Sequence, residues 1–170
     1  LYGDMDVSII DDLPKGRKSI KTEIIAPRNR SVMFEKIETA ISRKQQVYWV
    51  CTLINESDSI SATAATFLYD ELTNTLPQYR IGLLHGQLKS HDKINVMSAF
   101  KNGMIDLLVT TTIGEVGVDV PNATLMLIED ANRLGLAQLH QLRGRIGRGK
   151  NASECLLIGQ NYSNSPSSRR

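Results

Sequence analysis

The run Val47-Tyr48-Trp49-Val50-Cys51-Thr52, followed by SATAATFLYDELTNT over residues 61–75 and then by Arg80-Ile81-Gly82-Leu83-Leu84, sets the fold class of this 170-residue chain. A short apolar run, a longer segment of helical period and a second short apolar run make one strand–helix–strand unit. Working outward, the same pattern predicts strands at 20–26, 106–111, 124–128 and 155–158, and helices at about 31–43, 90–102 and 136–145. Pro77 follows the second helix and Gly103 stands where the third should end. Strands alternating with helices predict an α/β fold in which an open parallel sheet carries helices on both faces, a three-layer α/β/α arrangement. Residues 1–19, with their acidic run and the turn Pro14-Lys15-Gly16, read as a linker or edge segment. Residues 20–160 read as one domain, and the Ser- and Asn-rich 161–170 as a disordered tail.

Composition supports one core and little more. With 41% hydrophobic residues, the chain can bury one domain, and a net charge of +2 does not decide for or against a nucleic-acid partner. The distribution of charge says more than its sum. Asp4, Asp6, Asp11 and Asp12 lie in a stretch without cations, whereas 131–150 carries Arg133, Arg143, Arg145, Arg148 and Lys150 and no carboxylate. Cys51 and Cys155 sit in apolar runs without metal-ligand spacing, so they read as reduced core residues of a cytosolic protein. No apolar stretch reaches the roughly 20 residues that cross a bilayer, and the N-terminus has no signal pattern, which predicts a cytoplasmic protein without a membrane partner. A first residue of Leu rather than Met suggests a piece of a longer protein.

Two segments carry the chemistry. Gln141-Leu142-Arg143-Gly144-Arg145-Ile146-Gly147-Arg148 spells Q-x-x-G-R-x-G-R at the end of a predicted helix. Guanidinium groups match phosphate oxygens, and closely spaced glycines let the backbone turn so that several of them point one way. The plain alternative is a solvated basic helix end favoured by the helix dipole. In the second segment a buried strand, Leu107-Leu108-Val109-Thr110-Thr111, releases into Thr112, Gly114, Gly117 and then Asp119-Val120-Pro121. Hydroxyls and backbone N–H groups at a strand end suit phosphate, and an Asp suits a ribose hydroxyl or a basic partner; the plain alternative is an ordinary strand and turn. Thr52, His85-Gly86 and 110–119 all follow strands, which predicts a functional face along the carboxyl edge of the sheet.

Two other matches fail. Residues 144–150 fit the glycine and lysine spacing of a P-loop, but Asn151 replaces the required Ser or Thr, and the segment follows a helix and precedes a strand. Asp70-Glu71 lies within a helical segment and so is a surface pair rather than a Mg²⁺-binding strand end.

The two segments resemble motifs V and VI of superfamily 2 helicases, and Tyr48-Trp49-Val50-Cys51-Thr52-Leu53-Ile54 resembles motif IV. Leu84-His85-Gly86, Asp11-Asp12-Leu13-Pro14, Gly117-Val118-Asp119-Val120-Pro121-Asn122-Ala123 and the form Leu136-Ala137-Gln138-Leu139-His140-Gln141-Leu142-Arg143-Gly144-Arg145 extend the likeness to RecG-type DNA helicases over residues 1–159. Gly114 departs from it, standing where such proteins usually carry Ile. The resemblance implies the second RecA-like lobe of an ATP-dependent motor that translocates on double-stranded DNA and remodels stalled forks and Holliday junctions in repair and recombination. It implies that Arg145 and Arg148 are arginine fingers, that Gln141 positions the attacking water, and that Gly117 and Asp119 lie by the nucleotide ribose. It implies that Thr52, His85, Gly86, Thr111 and Thr112 touch the DNA backbone. ATP and Mg²⁺ would be bound mainly by an N-terminal lobe of the same protein, since no P-loop is present. Rival readings are the lobe of a transcription-repair coupling translocase or an RNA helicase, a nucleotide-binding kinase, and a non-catalytic nucleic-acid-binding module.

Overall fold

A computed structural model describes residues 20–52, 57–111 and 119–159. The segments 1–19 and 161–170 and the site candidates Thr112 and Gly117, with Gly114, lie outside the described residues. Among these residues six strands and four helices follow in the order β1 (Ile20–Ile25), α1 (Arg30–Ser42), β2 (Gln46–Cys51), α2 (Asp58–Thr75), β3 (Ile81–Leu84), α3 (Ser90–Lys101), β4 (Leu107–Thr110), β5 (Ala123–Glu129), α4 (Leu136–Arg143) and β6 (Ser153–Ile158). A single 3₁₀ turn, Ala131–Arg133, joins β5 to α4. The sheet order is β1-β6-β5-β2-β4-β3, and every neighbouring pair is parallel.

All six residues of β2 are buried, as expected of a central strand with partners on both sides and helices on both faces. Alternate side chains serve different layers. Val47, Trp49 and Cys51 pack with Met33 and Ile37 of α1 and Leu68 and Leu72 of α2. Tyr48 and Val50 pack with Met97 and Phe100 of α3 and Leu139 and Leu142 of α4. The three-layer α/β/α architecture expected from the alternation is therefore present.

Element ends follow local chemistry. The α2 helix begins at Asp58, three residues earlier than its apolar period suggests, because the Ser57 side chain accepts a hydrogen bond from the Ile60 N–H at 3.3 Å. The α3 helix closes with Gly103 at φ 79°, the Gly103 N–H donating to Phe100 and the Met104 N–H to Ala99, a double-bonded left-handed stop. Predicted to reach residue 145, α4 instead stops at Arg143, where Gly144 takes over as its cap. Gln46, buried at the start of β2, donates from its amide to the carbonyls of Phe100 and Ile105 and so ties the end of α3 to the sheet.

Candidate nucleotide and nucleic-acid interface

Beyond α4 the chain makes two tight turns around one anchor. Arg145 and Ile146 donate their N–H groups to Leu142 and Arg143, and the Ile146 side chain is fully buried. Gly147 reverses the chain at φ 76°, and Gly149 passes so close to Pro121 that a Cβ there would lie 2.6 Å from the Pro121 carbonyl oxygen. This geometry sorts three arginines that look alike in sequence. Arg143 is 2% exposed and donates to the Ile20 carbonyl at 3.1 Å, so it holds β1 rather than facing a ligand. Arg145 is half-buried and pairs with no carboxylate among the described residues. Arg148 is exposed, donates from Nε to the Gly144 carbonyl at 2.8 Å and pairs with Asp119 at 3.0 Å. Gln141 lies exposed on the last turn of α4.

The carboxylate-free sequence around these arginines predicts cations without an acid; in space Asp119 supplies one. The same contact corrects the expected position of the site. Pro121 lies against Gly149, and the Asn122 carbonyl accepts from the N–H of Gln46, the first residue of β2. Arg148 and Asp119 therefore sit beside the descent to the amino ends of the strands, on the α3/α4 face, and not with the threonines on the carboxyl edge.

At that edge the remaining candidates gather over the adjacent strands β2, β4 and β3. Thr52 follows β2, Thr111 follows β4, and the Thr111 N–H donates to the Leu84 carbonyl at 3.2 Å, next to His85. Gly86 turns against the first residue of α2: a Cβ on it would meet the Asp58 carboxylate at 3.1–3.3 Å. Burial, and secondarily the Lys93 ammonium, hold the His85 imidazole below its ordinary range, so it is neutral near pH 7. Its Nδ1 accepts from the Gln87 N–H at 3.1 Å, which places the proton of the neutral ring on Nε2. The hydroxyls of Thr52, Thr110 and Thr111 are buried and have no hydrogen-bond partner. Each such group costs about 1–3 kcal/mol while it stays unpaired.

Two features escaped the sequence reading. Trp49 donates from its indole N–H to Glu129 at 3.0 Å, and the Arg30 guanidinium stacks 5.3 Å from the Trp49 ring centroid while pairing with Glu71. Burial pushes the Glu129 carboxyl up, against the Trp49 hydrogen bond and the Arg30 charge. On the other face Tyr48, 1% exposed and edge-on to Phe100 at 5.0 Å, has a hydroxyl without a hydrogen-bond partner. Among the described residues no cluster of His, Cys, Asp and Glu is arranged to hold a metal ion, and no helix is long and apolar enough to cross a membrane.

This parallel α/β lobe, with Arg145 and Arg148 on one face and threonine hydroxyls along its carboxyl edge, has the RecA-like fold of helicase C-terminal lobes. The helicase conserved C-terminal domain family matches residues 31–150, and the chain belongs to that family. Within it the likeness is to RecG. The chain is 53% identical over 159 residues to the ATP-dependent DNA helicase RecG of Haemophilus influenzae, covering 93% of this chain and 23% of that protein. It is 51% identical over 158 residues to RecG of Escherichia coli K12, covering 92% and 23%. The structure of RecG bound to a three-way DNA junction superposes with a TM-score of 0.71 at 38% identity, over 87% of this chain and 19% of that one. This chain thus spans less than a quarter of the length of the relatives it matches.

Proposed function

We propose that this chain is the trans-acting half of an ATP-dependent DNA helicase of RecG type. The intact protein works on forked or branched double-stranded DNA in the bacterial cytosol, remodelling stalled forks and Holliday junctions. The observation that carries the reading is the presentation of Arg145 and Arg148 on either side of the buried Ile146, in a sequence with no P-loop. ATP and Mg²⁺ are then held mainly by the N-terminal lobe of the same protein. This chain contributes guanidinium charge to the γ-phosphoryl group, Gln141 to the attacking water, and Gly117 and Asp119 to the ribose side of the cleft.

The Arg148–Asp119 pair is compatible with that role. Both side chains are substantially exposed, 37% and 65%, and such a pair is worth about 0–1 kcal/mol in water. Arg148 can exchange one carboxylate for a more highly charged triphosphate at little cost. At the carboxyl edge the buried hydroxyls of Thr52 and Thr111, with neutral His85, the turn at Gly86, and Thr112, supply neutral contacts to the DNA backbone, which hold a track without fixing a base sequence.

The test is steady-state ATPase of the intact protein with saturating forked DNA, together with equilibrium binding of ATP and fork. Arg148→Ala should lower kcat by about three orders of magnitude with much smaller changes in either affinity, and Arg148→Lys should not restore it, because a point charge lacks the two-pronged geometry. Near-normal turnover, or a loss explained wholly by weaker DNA binding, would assign the arginines to the DNA track or to a non-catalytic binding module.

A further inference from the structure

Where β5 and β2 end, between the first residue of α1 and the middle of α2, the surface opens into a cavity of about 240 Å³. That is smaller than the roughly 300–1,000 Å³ of a site for a drug-sized ligand, and it suits a single planar ring system. Its walls are mixed in character. Phe67 stands 71% exposed at the cavity, so packing within the lobe does not account for its ring. Arg30 stacks on Trp49 and donates from Nη2 to Glu71, while its Nη1 is buried, lies 3.9 Å from Glu129 and makes no hydrogen bond. Thr52, 7% exposed, lines the cavity where β2 ends, and its buried hydroxyl has no hydrogen-bond partner. Glu71, Glu129 and Asp130 bring three carboxylates to the same walls.

These groups restrict the occupant. Three carboxylates against one guanidinium repel a phosphate. An ammonium or guanidinium from another protein segment would answer the carboxylates, but it would face the Arg30 charge and leave Nη1 without an acceptor. A neutral planar group with acceptors and donors side by side answers both, and the exposed Phe67 ring gives it a face to stack on. Every nucleobase has such an edge and such a face. We infer that the cavity receives one unpaired nucleobase, stacked on Phe67 with its polar edge against Arg30 and Glu129. This rests on the reading of the carboxyl edge as a DNA track, of which Thr52 is the member that also lines the cavity. Stacking tolerates any base, so the site registers that strands have parted and not their sequence.

The test uses the intact helicase and two forks, one fully base-paired and one with a short single-stranded gap at the branch that carries a fluorescent adenine analogue. Equilibrium binding to each fork, quenching of the analogue and thermal melting are read for the wild type, Phe67→Leu and Phe67→Tyr. Phe67→Leu should weaken binding to the gapped fork about tenfold, the scale of one lost base–aromatic stack. It should also relieve the quenching and leave affinity for the paired fork within about twofold. Phe67→Tyr, which keeps the ring, should behave as the wild type. Neither substitution should move the melting temperature, because the side chain is exposed. Unchanged affinity and quenching in Phe67→Leu overturn this inference and leave the DNA track standing. An equal loss on both forks also overturns it, since the paired fork has no free base to offer. So does a lower melting temperature with unaltered DNA binding, which would mark the cavity as covered by another part of the protein. Failure of the wild type to bind either fork overturns the DNA reading of the edge and this inference with it.

Discussion

Arg143, Arg145 and Arg148 share one motif and have three environments. A buried guanidinium bonded to a main-chain carbonyl is structural, so Arg143→Ala should destabilise the lobe by about 3 kcal/mol, combining a lost buried side chain with an orphaned Ile20 carbonyl. Urea unfolding measures this directly; a loss under about 1 kcal/mol would mean that Arg143 is dispensable to the core. The signal for this division was in the sequence, since Arg143 lies four residues after Leu139 and next to Leu142, on the apolar stripe of the helix. The Arg148–Asp119 pair had no comparable signal, because it depends on how the descent to β5 meets the turns after α4. Tyr48 was hidden for another reason. In a strand buried on both faces every position is apolar or enclosed, so alternation cannot mark a hydroxyl with an unmet bond.

At the scale of elements, strands and helices were legible because each face of a central strand demands its own apolar set, and boundaries were less so because caps decide them. The α1 helix ends on Lys44 at φ 65°, with the Lys44 N–H bonded to Ile41 and the Gln45 N–H to Ala40, the geometry that Gly103 adopts after α3. A side chain is strained there, so Lys44→Gly should stabilise the lobe by about 1 kcal/mol, read as a higher urea midpoint at unchanged slope. Destabilisation instead would show that the lysine side chain has a role of its own. The starts of β3 and β4 are clamped by Arg80, which donates from its backbone N–H and its guanidinium to Asp106. Partial burial pushes the Asp106 carboxyl up, but these bonds and the Arg80 charge outweigh it and leave the group below its usual range. A depressed carboxyl stabilises the fold above its unfolded value, near pH 4, and that contribution is lost as pH falls through the folded value. Asp106→Asn should therefore flatten the acid limb of the stability curve below about pH 4 and leave the neutral-to-alkaline slope unchanged. An identical acid limb in the two proteins would remove Asp106 from the account.

The molecule as a whole separates its two sets of candidate site residues in space, with arginines toward the amino ends of the strands on one helical face and neutral donors on the carboxyl edge. Among the described residues neither face carries a P-loop or a cluster arranged to hold a metal ion. The isolated chain should fold and show no DNA-stimulated ATP hydrolysis, and robust turnover by the purified lobe would overturn the division of labour proposed above. The lack of a P-loop is legible in the sequence, whereas the separation of the two faces was not, since Thr111 and Asp119 stand close together along the chain.

The strand order also imposes a schedule. Among the described strands β1 hydrogen-bonds only to β6, and β6 stands between it and β5. During synthesis β1 can join the described sheet only after β6 has emerged, so Ile20, Ile24 and Ile25 wait for that partner while everything between them and β6 is made. The carbonyl that receives Arg143 arrives with β1. The turns that carry Arg145 and Arg148, which lie between α4 and β6, are thus secured only once β1, from the opposite end of the described fold, has docked beside β6.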